Sequence, residues 1–145
     1  MIINMWSGPR NISTAMMRSF ENREDTEVWD EPFYAYYLYE TKKKHPLHKE
    51  IIDNYETDLG ELINKIKNLE SEDGIFYLKH MTHHMLSSIP MEWTLNHKNC
   101  LLIRNPTEVI HSYSQKNEIL NIQDIGFYEQ FKIYKFFLRN KVQCP

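Results

Sequence analysis

The chain has 145 residues, enough for one domain with a substantial hydrophobic core. Hydrophobic residues make up 41% and charged residues 26% of it, which is the balance of a soluble globular protein. A net charge of −3 argues against general nucleic-acid binding. No apolar run approaches the roughly 20 residues of a membrane-spanning helix, and the start lacks the basic segment of a signal peptide. The two cysteines, Cys100 and Cys144, lie far apart in the sequence, and Cys100 stands in an apolar run, so a reducing cytoplasm is the expected compartment. We also expect the protein to bind neither nucleic acid nor membrane.

The first elements predict an anion-binding loop. A short apolar run, Ile2–Trp6, is broken by Ser7-Gly8-Pro9, and a helix-like pattern runs over Ser13–Asn22. A strand, a tight loop and a helix in this order aim backbone N–H groups and the positive end of a helix dipole at one point. Arg10 adds a fixed positive charge there, and Ser13 and Thr14 add hydroxyl donors. The pattern indicates a phosphate- or sulfate-binding loop; the alternative is an ordinary strand–turn–helix that binds nothing.

Two well-known nucleotide-binding patterns are absent from the sequence. A nucleoside-triphosphatase loop reads G-x-x-x-x-G-K-[ST], and the chain has no Gly-Lys pair. The dinucleotide pattern G-x-G-x-x-G is missing as well, because Gly8 has no glycine close to it. A small kinase of the P-loop type is therefore a disfavoured alternative, since the element that holds phosphates and Mg²⁺ is lacking.

The rest of the chain alternates between strand-like and helix-like segments. Such alternation favours an α/β fold, a three-layer sandwich around a short parallel sheet. The predicted strands are Glu27–Trp29, Ile75–Leu78 and Cys100–Ile103, and the predicted helices are Pro32–Lys44, His48–Leu69 and Pro106–Lys116.

The C-terminal part carries an aromatic stripe at helical spacing, formed by Phe127, Phe131, Tyr134 and Phe137. Such a stripe is typical of a helix face in the core. No strand is predicted after Ile103, so the sheet is expected to be small and the chain to be shortened.

A second anion-binding segment follows the last predicted strand. Arg104 stands at the strand's carboxyl end, where α/β folds bind ligands. Asn105 before Pro106 signals a helix start, and Ser112 lies two turns into that helix, so its hydroxyl is within reach of the same crevice. The alternative is that Arg104 pairs with a carboxylate and that Ser112 is an ordinary helix residue.

Together the two segments resemble the sulfotransferases that use 3′-phosphoadenosine 5′-phosphosulfate (PAPS). That family has a loop P-[KR]-S-G-[ST]-[ST] after its first strand, which residues 9–14 match except that Asn11 replaces the serine and Ile12 replaces the glycine. Its later segment R-[ND]-P-x-[DE]-x-x-x-S-Y is matched throughout by residues 104–113. The wider pattern is similar to a divergent bacterial-type branch. Because isoleucine disfavours a positive φ and close approach of the backbone, we expect the loop to run differently or the pocket to be altered.

The resemblance implies a P-loop-like fold, a single domain over residues 1–145 that lacks the family's C-terminal part, and transfer of a sulfuryl group from PAPS to a small hydroxyl or amine acceptor. It implies no metal. It assigns the 3′-phosphate to Arg104 and Ser112, and charge neutralisation at the leaving phosphate to Arg10. The residues that it assigns to the 5′-phosphosulfate are Pro9, Arg10, Asn11, Ile12, Ser13 and Thr14. The alternative within this fold is a catalytically inactive protein that binds a nucleotide or phosphate. Oligomeric state and acceptor identity cannot be predicted.

Two residues are candidates for the base that takes the acceptor's proton. Glu31, before Pro32, resembles the glutamate that is the base in several bacterial-type members; the alternative is a carboxylate that complements the dipole in the first turn of the helix at Pro32. Asp30 is interpreted as the cap of that helix. His80 is the second candidate, because cytosolic sulfotransferases have a Lys-x-His segment here; the chain instead has Lys79 and His80 adjacent. Lys79 either assists the bridging oxygen or is a charge at a strand end.

Two further patterns concern ligands. If the segment is helical, His80, His83 and His84 share one face, a weak signal for a metal, and we predict none. The helix after Glu31 is dense in aromatic residues, so some of them are expected to line an acceptor pocket. The candidates are Phe33, Tyr34, Tyr36, Tyr37 and Tyr39.

Overall fold

The structure, a computed structural model, describes residues 1–71, 73–115 and 122–145 and confirms the α/β fold. In these ranges the chain forms four strands, six helices and several 3₁₀ turns. The strands are β1 (Ile2–Ser7), β2 (Thr26–Asp30), β3 (Ile75–Met81) and β4 (Lys98–Leu102). The helices are α1 (Ser13–Glu21), α2 (Tyr34–Thr41), α3 (His48–Asn54), α4 (Leu59–Asn68), α5 (Pro106–Ser114) and α6 (Phe127–Arg139). None of the described helices is long and apolar enough to span a bilayer.

The strands form one parallel sheet in the order β2-β3-β1-β4. The register places Trp6 beside His80 and Met5 beside Lys79, and Asp30 pairs with Lys79 from the other side. Because all strands are parallel, the loops after them leave the sheet at one edge. The segments predicted to bind an anion and to supply the base therefore lie along the same edge.

Helices cover both faces of the sheet, as expected for a three-layer sandwich. On one face Met17 of α1 packs in a cluster with Met5 and Tyr77. On the other face α4 and α6 pack over Trp6 and Leu78. Successive residues of a strand point to opposite faces, so this division also decides which layer each strand residue enters.

Some helix boundaries predicted from the sequence are wrong. The single helix predicted over 48–69 is two helices, because the Asp58 side chain accepts a hydrogen bond from the Glu61 N–H at 2.9 Å and so caps a new helix. Helix α2 begins at Tyr34 rather than Pro32. Asn105 caps α5 as predicted, accepting from the Thr107 N–H at 2.9 Å. The predicted end of that helix, Lys116, lies outside the described residues.

The aromatic stripe of α6 is only partly buried, contrary to the prediction. Phe137 is fully buried, whereas Phe131 and Tyr134 are 52% and 41% exposed. Gln130, Ile133 and Phe137 make the buried face, one turn apart along the helix. Gln130 donates to the carbonyl oxygens of Trp6 at 3.1 Å and Leu102 at 2.9 Å, so a polar side chain ties α6 to the ends of β1 and β4. After Leu102 the described residues contain no further strand.

Candidate active site

The loop between β1 and α1 is held in a strained backbone conformation. Arg10 and Ile12 have φ values of 63° and 55°. A left-handed conformation is unusual for a β-branched residue and costs on the order of 1–3 kcal/mol. Ile12 thus adopts the positive φ for which glycine is suited, although isoleucine disfavours it, so the expectation that the backbone of the loop avoids this conformation is wrong. The residue is 66% exposed, so its side chain packs little against the rest of the protein.

Contacts from two other segments fix this loop. The Asn11 side chain donates to the Leu102 carbonyl at 3.1 Å, which ties the loop to the end of β4. A Cβ at Gly8 would lie 2.8 Å from the carbonyl oxygen of Ile125, so only glycine allows this close approach. The strained conformation therefore persists because the neighbouring segments impose it.

The first turn of α1 has the features of an anion site. The helix begins at Ser13 after Ile12, no described side chain caps it, and its first turn holds no acidic residue. The initial N–H groups of a helix have no acceptors within the helix, and its dipole favours an anion there. Ser13 is buried and Thr14 is exposed, so Thr14 presents its hydroxyl at this end.

The structure brings the two predicted anion-binding segments together. The Arg10 Nε donates to the Ser112 Oγ at 2.9 Å, and the Arg104 Nη1 donates to the Arg10 carbonyl at 3.2 Å. Arg104 also pairs with Glu108 at 2.9 Å. A guanidinium has five N–H donors, and within the described ranges these contacts use one of Arg10 and two of Arg104. Both arginines therefore keep donors for an anion at the α1 terminus.

Lys79 lies between the candidate base and the anion loop. The sequence leaves open whether Lys79 assists the bridging oxygen or is a charge at a strand end. Its Nζ lies 2.8 Å from Glu31 Oε1, 2.6 Å from Asp30 Oδ1 and 3.4 Å from Thr14 Oγ1. Only 3% of Lys79 is exposed. Burial lowers the pKa of Lys79, but the carboxylates of Glu31 and Asp30 outweigh it and raise that pKa above its usual value. A buried ammonium thus remains charged between the loop and Glu31.

Glu31 is fixed through its own backbone. Its φ is 51°, its N–H donates to the Lys79 carbonyl at 2.9 Å, and its carbonyl accepts from the Tyr34 N–H at 3.0 Å. The interpretation of Asp30 as a helix cap is wrong: the residue that precedes α2 is Phe33, without a side-chain cap, and Asp30 instead pairs with Lys79. The side chain of Glu31 is one quarter exposed, which leaves it accessible to a ligand.

A cavity of about 350 Å³ opens next to Glu31. It is lined by Trp29, Asp30, Glu31, Pro32, Tyr34, Ala35, Ile51, Tyr55, Glu56 and Leu62. Of the five aromatic residues expected in an acceptor pocket, only Tyr34 lines this cavity; Phe33, Tyr36 and Tyr37 are buried, and Tyr39 is 45% exposed. Of the aromatic residues named for an acceptor pocket, one therefore borders the cavity next to Glu31.

His80 lies in the core, away from the lysine that contacts Glu31. It points to the opposite face of the sheet from Lys79, stacks on Trp6 with ring centroids 4.2 Å apart, and is 1% exposed. Its Nε2 lies 3.1 Å from Asn4 Oδ1. Burial and then the nearby His97 lower its pKa to about 3, so it is a poor base at neutral pH. The geometry therefore favours Glu31 over His80.

The predicted helical face of three histidines is not formed. His80 belongs to β3, whereas His83 and His84 belong to a 3₁₀ turn, Thr82–His84. In the described part of the chain, no group of three or more His, Cys, Asp or Glu side chains is arranged to hold a metal.

The fold and the site define an α/β protein with cationic loops at the carboxyl edge of a parallel sheet. The sequence matches the model of the family described as "Sulfotransferase domain" over residues 1–139, and the chain belongs to this family. It is similar to the branched-chain-amino-acid aminotransferase-like proteins 2 and 1 of Arabidopsis thaliana, each 32% identical over 133 residues. These matches cover 92% of this chain, which spans about a quarter (24%) of the length of each relative. No solved structure matches the chain.

Proposed function

We propose that the chain transfers a sulfuryl group from PAPS to the oxygen or nitrogen of a small acceptor. The observation that carries this proposal is the convergence of Arg10, Arg104 and Ser112 at the N-terminus of α1. PAPS has anionic groups at its 5′ and 3′ positions, which two adjacent cationic loops suit. The loop with Arg10 and Thr14 takes the phosphosulfate, and Arg104 with Ser112 takes the 3′-phosphate.

The reaction breaks the bond between sulfur and the bridging oxygen of PAPS. The acceptor atom forms a new bond to sulfur, and 3′-phosphoadenosine 5′-phosphate leaves with the bonding electrons. Arg10 in the loop and Lys79 beside Thr14 are the two cations that neutralise charge on the leaving phosphate in this scheme. Catalysis thus rests on positioning and charge stabilisation, as in phosphoryl transfer.

Glu31 takes the acceptor's proton in this scheme. Its Oε1 is held by Lys79 at 2.8 Å, and its side chain borders the cavity of about 350 Å³, which offers room for a small acceptor. A general base must lie within hydrogen-bond reach of the proton it removes, so in this scheme the acceptor group binds at the Glu31 end of the cavity.

Ile12 supports a second candidate, a protein of this fold that binds a nucleotide or phosphate without transfer. It places a β-branched side chain at φ 55° where the PAPS-dependent sulfotransferases have glycine. Its exposed side chain occupies space at the loop that glycine leaves free, so the loop can bind an anion while this side chain keeps the donor out of line for transfer.

An assay with radiolabelled PAPS and a panel of hydroxyl and amine acceptors distinguishes the two. Glu31→Gln should lower transfer by roughly 10²–10⁴-fold and leave affinity for 3′-phosphoadenosine 5′-phosphate unchanged. Glu56→Gln is the matched control, because Glu56 borders the same cavity but pairs with Lys65. Binding without any transfer supports the second candidate. Full activity in Glu31→Gln together with an inactive His80→Ala would assign the base to His80.

A further inference from the structure

The two carboxylate oxygens of Glu31 have different surroundings. Oε1 accepts the hydrogen bond from Lys79, whereas Oε2 lies 3.8 Å from Nδ1 of His84. The second distance exceeds a hydrogen bond by about 0.8 Å. Catalytic hydrogen bonds are often long before the ligand binds, so a small rotation of Glu31 would close this one.

The His84 ring is held beside Glu31 by contacts with two tyrosine rings. It lies against Tyr34 with ring centroids 4.8 Å apart and an interplanar angle of 16°, and against Tyr37 at 4.7 Å. Only 3% of the residue is exposed, and Nδ1 has no hydrogen-bond partner among the described residues. A buried polar nitrogen without a partner is unfavourable, and Oε2 of Glu31, 3.8 Å away, can supply the missing acceptor.

His84 is neutral at pH 7. Burial is the main cause that lowers its pKa well below the usual value, and neighbouring positive groups add to it. A neutral imidazole has one N–H, so its tautomer decides whether Nδ1 donates to Glu31 or accepts from it. The titratable groups around the ring are Glu31, Tyr34, Tyr37, Lys43, His45, Lys79, His83 and, beyond His83, Asp124.

We propose that His84 is a positioning residue whose Nδ1–H donates to Glu31 Oε2 and fixes the carboxylate for proton removal. This inference rests on the proposed role of Glu31 as base. Lys79 and His84 then hold one oxygen each, and the second lone pair of Oε2 remains for the acceptor's proton. Tyr34 belongs to both the His84 stack and the cavity lining, so the acceptor binds beside the fixed carboxylate.

Three substitutions at His84 separate this role from packing. His84→Asn keeps an N–H donor near the Nδ1 position, His84→Gln moves it outward, and His84→Phe keeps a flat ring without a donor. We expect kcat to fall on the order of tenfold or more in the Phe and Gln variants, with KM for PAPS unchanged, and to recover in the Asn variant. Wild-type kcat in His84→Phe, or equal loss in all three variants with unchanged melting temperatures, would overturn the proposal.

A measurement without turnover keeps the test independent of the proposed function. Long-range ¹H–¹⁵N NMR of the imidazoles reports which nitrogen of His84 carries the proton, and it is recorded with and without 3′-phosphoadenosine 5′-phosphate. We expect the Nδ1–H tautomer in the wild type and the Nε2–H tautomer in Glu31→Ala. An Nε2–H tautomer in the wild type refutes the proposal, because Nδ1 then has no proton to donate. Should the chain lack transfer activity, the proposed function fails while the tautomer still decides whether His84 holds Glu31.

Discussion

Replacement of Lys79 by methionine tests whether a buried cation organises the site. The variant keeps most of the apolar stem but leaves the carboxylates of Glu31 and Asp30 side by side without their shared ammonium. Removing one partner of a fully buried ion pair costs about 3–5 kcal/mol. The two carboxylates retain 25% and 47% exposure and regain some hydration, so we expect the free energy of unfolding to fall by about 2–3 kcal/mol. Urea denaturation at pH 7 should show the midpoint lowered by about 1–2 M.

Lys65→Met is the matched control for this experiment. Lys65 contacts Glu56 at 2.9 Å, close to the 2.8 Å between Lys79 and Glu31, but its side chain is 52% exposed. An exposed pair contributes about 0–1 kcal/mol, so this variant should unfold near the wild-type midpoint. Equal destabilisation of the two variants would refute the argument that burial gives the Lys79 contacts their strength.

The pH dependence gives a second check on Lys79. Its pKa is raised in the folded state, since the carboxylates outweigh the opposing effect of burial, so its contribution to stability is complete below the unfolded pKa of about 10.4. The difference in stability between the wild type and Lys79→Met should stay constant from about pH 6 to 9 and decrease as the pH rises through the folded pKa of Lys79.

Two pairs of substitutions test the packing that positions the site, both by urea denaturation. Gly8→Ala should lower the free energy of unfolding by about 1–3 kcal/mol, because the added methyl group would lie 2.8 Å from a backbone oxygen. Gly60→Ala in α4 is the control: the nearest atom there belongs to a side chain, so the free energy of unfolding should change by less than about 1 kcal/mol. Similar losses in the two variants would argue against close packing at Gly8. Phe137→Ala should lower the free energy of unfolding by about 3–5 kcal/mol, because Phe137 is fully buried. Phe131→Ala should lower it by about 1 kcal/mol or less, because half of Phe131 is exposed. A comparable loss in both variants would contradict the observed buried face of α6.

The elements with strong local signals were predictable from the sequence. The loop after β1 and the start of α5 depend on short-range features, such as the Asn105 cap followed by proline. The break before α4 also had a local signal, Asp58 followed three residues later by Glu61, which periodicity alone does not reveal.

The features that the sequence did not predict depend on tertiary contacts. The backbone of Ile12 is set by neighbouring segments against its own preference, which no local pattern reports. Lys79 and His80 are adjacent, and strand alternation allows only one of them to reach the anion loop; the choice depends on which face carries α1. The burial of Gln130 through two backbone carbonyls likewise requires the folded sheet.

Calorimetric titration with 3′-phosphoadenosine 5′-phosphate, with AMP and with ATP plus Mg²⁺ tests the proposed donor site most directly. We predict micromolar binding of the first nucleotide and binding of AMP weaker by about 10–100-fold, since the 3′-phosphate gains charge-assisted hydrogen bonds. Arg104→Ala should abolish that difference. Arg23→Ala, which removes an exposed arginine paired with Asp25, should preserve it. Equal affinity for the 3′-phosphorylated nucleotide and AMP, or tighter binding of ATP with Mg²⁺, would contradict the proposal that Arg104 binds a 3′-phosphate.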